Sequence, residues 1–199
     1  MGWNNLAVVY LGILSLRLRS RPVAGSICVN PRALAGEGFT PVERREPSLL
    51  VDGCVLITGE VDRTTEFERG MPPPHQAWNG EAWEHDPLVA DDQALVVHVR
   101  NRGLVVLTGC GHAGAVNIVR HARRLTGVER LHGLIGGLHL SGPAFEPVIG
   151  PTVAALTALD AGLVVPGHCT GWRAQHALAA ALPDAWVQGS SGTTHRVAA

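Results

Sequence analysis

The feature that most limits the fold of this 199-residue chain is a pattern used three times: an apolar run, a glycine turn, then a histidine. It occurs in GLVVLTGCGH ending at His112, in LHGLIGGLH ending at His139 and in LVVPGH ending at His168. Short apolar runs of this kind read as buried strands. Glycine at a strand end lets the backbone turn sharply and lets a ligand approach closely. Helical patterns lie between and after them. Gly114 to Leu125 places Val116, Val119 and Ala122 on one face. Val153, Leu156 and Leu159 recur every third position, with Pro151 as the expected first helical residue and Gly162 as the stop. Trp172 to Leu182 reads as a further helix that Pro183 ends. This alternation predicts an α/β layered architecture, in which ligands bind at the C-terminal ends of the strands. If the three strands are parallel neighbours, the three imidazoles converge on one edge.

The remaining chain is read around that half. Ala94 to Val99 and Gly103 to Leu107 form a hairpin pattern across Arg100-Asn101-Arg102-Gly103. Val51 to Thr58 is expected as one strand, Ser26 to Val29 as a short one and Asp184 to Gln188 as the last. Residues 62 to 93, with Met71-Pro72-Pro73-Pro74 inside, read as a long loop, and loops of that length are usually functional or mobile. The apolar run Leu6 to Leu16 is about half the roughly 20 residues a bilayer requires, so a buried strand or helix is favoured over an anchor. No secretory leader is expected, because arginines follow this run and no basic segment precedes it.

Composition excludes several classes. A chain that is 46% hydrophobic is neither disordered nor collagen-like. A net charge of -1 gives no field for nucleic acid. The four cysteines are widely spaced and form no C-x-x-C pair, so no disulfide framework is indicated, and a reducing cytoplasm is the expected compartment. The absence of G-x-x-x-x-G-K-[ST], G-x-G-x-x-G and G-x-S-x-G weakens nucleotide-phosphate binding and serine hydrolysis.

Histidine is both a common metal ligand and a general base near neutral pH. One histidine after a strand is most often a polar turn residue. Three in the same structural phase point to a built site. His75, His85, His98, His121, His132, His176 and His195 have no such context and read as surface or packing residues. Cys110 and Cys169 adjoin the strand-end histidines, as thiolate ligands or nucleophiles on one reading and as small buried residues on the more ordinary one. Thr170 would either cap the last helix or hydrogen-bond a ligand, and the cap is favoured.

An ordered set of motifs carries a resemblance across about residues 26 to 192. It comprises Gly59-Glu60-Val61-Asp62-Arg63 with Thr65-Glu66-Phe67-Glu68, Asp91-Asp92-Gln93-Ala94-Leu95, TGCGHAG with Asn117, GGLHL and PGHCTG. Together they resemble the metallo-β-lactamase fold, and within it the branch of the dihydropterin-ribofuranosylaminobenzene phosphate synthase-like proteins. The resemblance implies an αββα sandwich with a metal site, usually zinc, at one edge. It implies His112 and His168 as metal ligands, and His139 as a catalytic group that contacts metal or substrate. Glu60, Arg63 and Asp92 match family positions, and with Thr170 they are the expected substrate-binding residues.

The family's early H-x-H-x-D-H motif has no counterpart, since residues 1 to 50 contain no histidine. The expected organisation is an atypical segment 1–25 followed by a metallo-β-lactamase-like domain 26–199 that lacks the first ligand motif, as in an N-terminally truncated chain. The expected function is metal-dependent hydrolase-like chemistry on a small phosphate, ester or pterin-type substrate, with no nucleic-acid or membrane partner. The alternative is an inactive, degenerate fold serving as a binding or scaffolding module. A cysteine nucleophile, Cys110 with His112, ranks below both.

Overall fold

A single row of side chains organises the sheet in the computed structural model, which describes residues 8–11, 35–78 and 81–197. Val96, Val106, Leu134 and Val164 stand in register across four adjacent strands, each at most 2% exposed. Full burial of an aliphatic side chain stabilises by about 1.5–3 kcal/mol, so this row alone is a substantial part of the core.

The strands are β1 (Val8–Leu11), β2 (Thr40–Glu43), β3 (Ser48–Leu50), β4 (Val55–Ile57), β5 (Gln76–Trp78), β6 (Trp83–His85), β7 (Ala94–Val99), β8 (Gly103–Thr108), β9 (Leu131–Gly136) and β10 (Leu163–Pro166). The described helices are α1 (Ala115–Thr126), α2 (Glu146–Ala158) and α3 (Trp172–Ala181). Six strands form one sheet in the order β10-β9-β8-β7-β4-β3. β8, β9 and β10 run parallel, while β7, β4 and β3 continue the sheet antiparallel. Two smaller pairs, β1 with β2 and β5 with β6, account for the other described strands. Helices α1, α2 and α3 place Ile118, Leu156 and Leu178 in the same buried cluster as the four-strand row. The mixed α/β architecture read from the sequence is therefore present. Among the described residues no helix is long and apolar enough to cross a membrane.

Parallel pairing decides where the site lies. Thr108, Gly136 and Pro166 are register partners at the ends of β8, β9 and β10, so the three glycine-histidine segments leave the sheet side by side. Their loops are laced by backbone hydrogen bonds. Gly137 N–H donates to Gly109 O at 2.9 Å, and Gly167 N–H donates to Gly136 O at 2.6 Å. Gly137 has no room for a side chain, because a Cβ there would lie 2.5 Å from Cys169 Sγ and 2.6 Å from Gly109 O.

Several local expectations change. Helix α2 begins at Glu146, so Pro151 lies inside it rather than at its start. Pro147 occupies the first turn, where no donor is needed. Both prolines are exposed. Val51 to Thr58 is not one strand: residues 51–54 turn, with Val51 and Asp52 at positive φ, and link β3 to β4. Asp184 to Gln188 contributes only an isolated bridge, Trp186 to Val164. The long loop 62–93 holds the β5–β6 hairpin. Of the Leu6 to Leu16 run, Val8–Leu11 is strand, paired parallel with β2; the expected Ser26 to Val29 strand lies outside the described residues. Thr170 does not cap α3, whose N-cap is Gly171 with no side-chain hydrogen bond.

Candidate metal and substrate edge

The first histidine loop is tied to the start of α1 and to the long loop before β7. Helix α1 has no cap of its own at Gly114. The buried Glu68 carboxylate serves instead, accepting from Val116 N–H at 2.9 Å and Asn117 N–H at 2.8 Å. The Asn117 side-chain oxygen in return accepts from Thr64 N–H at 2.8 Å and Thr65 N–H at 2.9 Å. Residues 64–68 are thereby stitched to the helix that follows His112. Burial raises the Glu68 pKa against the two helix amides, which hold it down.

His112 and His139 meet edge to face, with ring centroids 4.5 Å apart. Phe145 from the loop before α2 packs edge-on against the far side of His139 at 4.7 Å. Burial pushes both imidazoles down to about 4, helped at His112 by His75 and Arg63 and at His139 by His112. Both rings are therefore neutral at pH 7, the form that ligates metal and accepts a proton. His139 sits at φ 48, a left-handed conformation that costs a non-glycine residue about 1–3 kcal/mol and that clusters at functional sites. Its Nδ1 is buried without a hydrogen-bond partner.

Asp92 backs His112. Its carboxylate accepts from Ala113 N–H at 2.9 Å and lies 3.8 Å from His112 Nδ1. Burial raises the Asp92 pKa, opposed by those amides and by Arg63. Arg63 donates to His112 O at 3.1 Å and also to Leu88 O, so it clamps the histidine loop to the segment before β7. Glu60 pairs with Arg45 at 3.7 Å.

His168 takes a different neighbour. Its Nε2 lies 3.1 Å from Cys110 Sγ. Cys169 Sγ–H donates to Cys110 O at 3.2 Å, and burial pushes its thiol up to about 11. Cys110, His168 and Cys169 present donor atoms that all lie within 4.8 Å of one another, the only such His, Cys, Asp or Glu group of three among the described residues. Thr170 is fully buried, and its hydroxyl accepts from Leu138 N–H at 3.3 Å. It holds the His139 loop against the His168 loop.

Two cavities flank the histidines. One of about 290 Å³ is lined by His112 and His139 together with Phe67, Met71, Pro72 and Phe145. The other, about 200 Å³, is lined by Glu60, Arg63, Asp92 and Leu88. The substrate-side residues read from the sequence thus divide. Glu60, Arg63 and Asp92 share one cavity, His139 opens into the other, and His168 and Thr170 line neither.

Sequence reading gave His75 no place at the site and named Glu68 only within a motif, without a role. His75 lies close enough to lower the pKa of both His112 and His139. Its Nδ1–H donates to Asp86 O at 2.9 Å, and Asp86 N–H returns to His75 O at 3.0 Å, so the hairpin segment holds the ring. The available signal was its place in the long, proline-stiffened loop already expected to be functional. His121 is a packing residue as expected, buried between Asp62 N–H and Thr58 O.

A sheet whose parallel strand ends carry histidines beside a two-cavity edge is the arrangement of a metallo-β-lactamase-type fold, and the chain has that fold. A solved structure of a metal-dependent hydrolase of the β-lactamase superfamily superposes with a TM-score of 0.67 at 26% identity, covering 81% of this chain and 59% of that one. Among curated proteins, the 7,8-dihydropterin-6-methyl-4-(beta-D-ribofuranosyl)-aminobenzene-5'-phosphate synthase of Methanocaldococcus jannaschii is 33% identical over 135 residues, 66% of this chain and 44% of that protein. An uncharacterized protein of the same organism is 28% identical over 129 residues, 65% of this chain and 45% of its own length. The chain thus spans less than half the length of these curated relatives. No protein-family model matches it.

Proposed function

We propose that this chain carries the metal-dependent catalytic edge of a hydrolase-like protein that acts on a small phosphate, ester or pterin-type substrate. The observation that carries the reading is the convergence of neutral, partly buried imidazoles at parallel strand ends, with the His139 Nδ1 unpartnered beside a cavity of about 290 Å³. A buried ring nitrogen without a partner and a neighbouring set of nitrogen and sulfur donors fit a divalent metal, with zinc as the ion proposed. Residues 26–199 form the proposed domain, with 1–25 an atypical N-terminal segment whose β1 pairs with β2.

In this reading His112 and His168 hold the metal. A bound zinc ion polarises the electrophile and acidifies water toward neutral pH. His112 is oriented by Asp92 and by the Arg63 clamp on its carbonyl. His139, neutral at pH 7, accepts a proton or orients the substrate in the cavity it lines. The apolar walls from Phe67, Met71 and Phe145 exclude water and suit a ring-bearing substrate. Arg63 and Glu60, in the second cavity, would receive polar substrate groups.

Zinc analysis of purified protein, with chromogenic phosphate and carboxylate esters as substrates, tests this reading. About one zinc per chain, lost with the activity in the double variant His112→Ala/His168→Ala, is expected. No zinc above background and no ester cleavage would overturn it and leave a binding-module role.

A further inference from the structure

We propose that Cys110, His168 and Cys169 form a thiophilic metal site, a two-sulfur, one-nitrogen set that takes zinc or a similar soft divalent ion. The inference rests on the reading above for the presence of a metal at this edge, and deepens it by giving His168 sulfur co-ligands.

The three donors come from two loops that do not adjoin in sequence. Cys110 follows β8, and His168 and Cys169 follow β10, with β9 between those strands. The sulfurs reach across because β9 ends in Gly136-Gly137. A Cβ at Gly137 would stand 2.5 Å from Cys169 Sγ and 2.9 Å from Cys110 Cα. The space over this glycine is therefore filled by the second cysteine and the first cysteine's backbone.

The spacing suits a metal. Cys110 Sγ and His168 Nε2 are 3.1 Å apart, and all three donor atoms lie within 4.8 Å. Tetrahedral zinc with S at about 2.3 Å and N at about 2.0 Å sets donors roughly 3.5–3.8 Å apart, so the set closes on an ion with shifts of about an ångström. The loop hydrogen bonds of Gly109, Gly136, Gly137 and Gly167 hold the donors together in advance. Three protein donors leave a fourth tetrahedral position, the one that His112 would take in the reading above. Sulfur donors favour zinc, cadmium or cobalt over magnesium, calcium or manganese. Cys54 is exposed, far from this set in sequence and outside the group, and supplies an internal control.

The test uses the full chain, reduced and stripped of metal, titrated with cobalt(II). The expected result is a thiolate-to-cobalt charge-transfer band that saturates at about one equivalent. The band is weakened in Cys110→Ser and in Cys169→Ser, lost in the double serine variant, and retained with weaker cobalt binding in His112→Ala, which removes a nitrogen and no sulfur. Cobalt binding without that band overturns the inference while leaving the metal-dependent edge intact; no cobalt binding overturns both. A band that survives in the double variant Cys110→Ser/Cys169→Ser also overturns it. Wild-type alkylation avoids any dependence on variant folding. With zinc at about ten times its Kd, the reactive fraction of Cys110 and Cys169 should fall about tenfold while that of Cys54 is unchanged. Equal alkylation of Cys110 and Cys169 with and without zinc sinks the proposal.

Discussion

Replacing Glu68 by alanine tests the claim that a remote carboxylate organises the helix beside the site. Glu68 is 7% exposed and accepts from two first-turn amides of α1 at 2.9 and 2.8 Å. A hydrogen bond to a charged group contributes about 1.5–3 kcal/mol, and a carboxylate at a partly buried helix N-terminus gains up to about 2 kcal/mol from the dipole. Against this stands desolvation of the carboxylate, the dominant influence on its pKa. Water entering from the adjoining cavity of about 290 Å³ also resolvates part of the exposed amide pair. The net cost is about 2–4 kcal/mol. With a urea m-value of about 2 kcal/mol/M, the midpoint at pH 7.5 should fall by about 1–2 M. Glu68→Gln keeps one acceptor oxygen and should lose about half as much. An alanine variant within about 0.5 kcal/mol of wild type would refute the capping role.

Three further outcomes follow from the same structure. In metal-free protein, burial holds the folded pKa of His112 and His139 at about 4, below their ordinary 6.5. The unfolded chain then binds more protons between those values, so stability should fall as pH drops from about 6.5 to about 4, by up to about 3 kcal/mol for His112. Urea midpoints at pH 7.5 and 4.5 read this directly; His112→Asn should flatten the slope, and a flat wild-type profile contradicts it. Gly137→Ala drives a Cβ into Cys169 Sγ and Gly109 O and should lower the urea midpoint by more than about 1 M, an unchanged midpoint being incompatible with the loop packing. Leu134→Ala, at the centre of the four-strand row and 0% exposed, should cost about 2–5 kcal/mol by calorimetry, and a loss below about 1 kcal/mol would show that the row is not the core.

Much of the C-terminal half was legible because its signals are local. The α1 helix needed only the facing of Val116, Val119 and Ala122, and the structure closes it at Gly127, which adopts φ 68. Strands β8 and β9 were apolar runs of the right length. Helix α2 was misplaced at its start because Pro151 resembles a first-turn proline, whereas Pro147 is the one that occupies the first turn. The split between β3 and β4 turned on positive φ at Val51 and Asp52, for which β-branched Val51 gives no local warning. Thr170 has the composition of a cap, yet its hydroxyl serves Leu138 N–H from another loop.

The sequence by itself determined that three glycine-histidine segments end buried strands, because periodicity and glycine placement act within a few residues. Only the tertiary structure decided the grouping: His112 with His139 and Asp92, and His168 with Cys110 and Cys169. That division depends on strand order, on register at Thr108, Gly136 and Pro166, and on the absent side chain of Gly137. Those are non-local contacts, and they give His75 and Glu68 roles that their own neighbours in the chain do not announce.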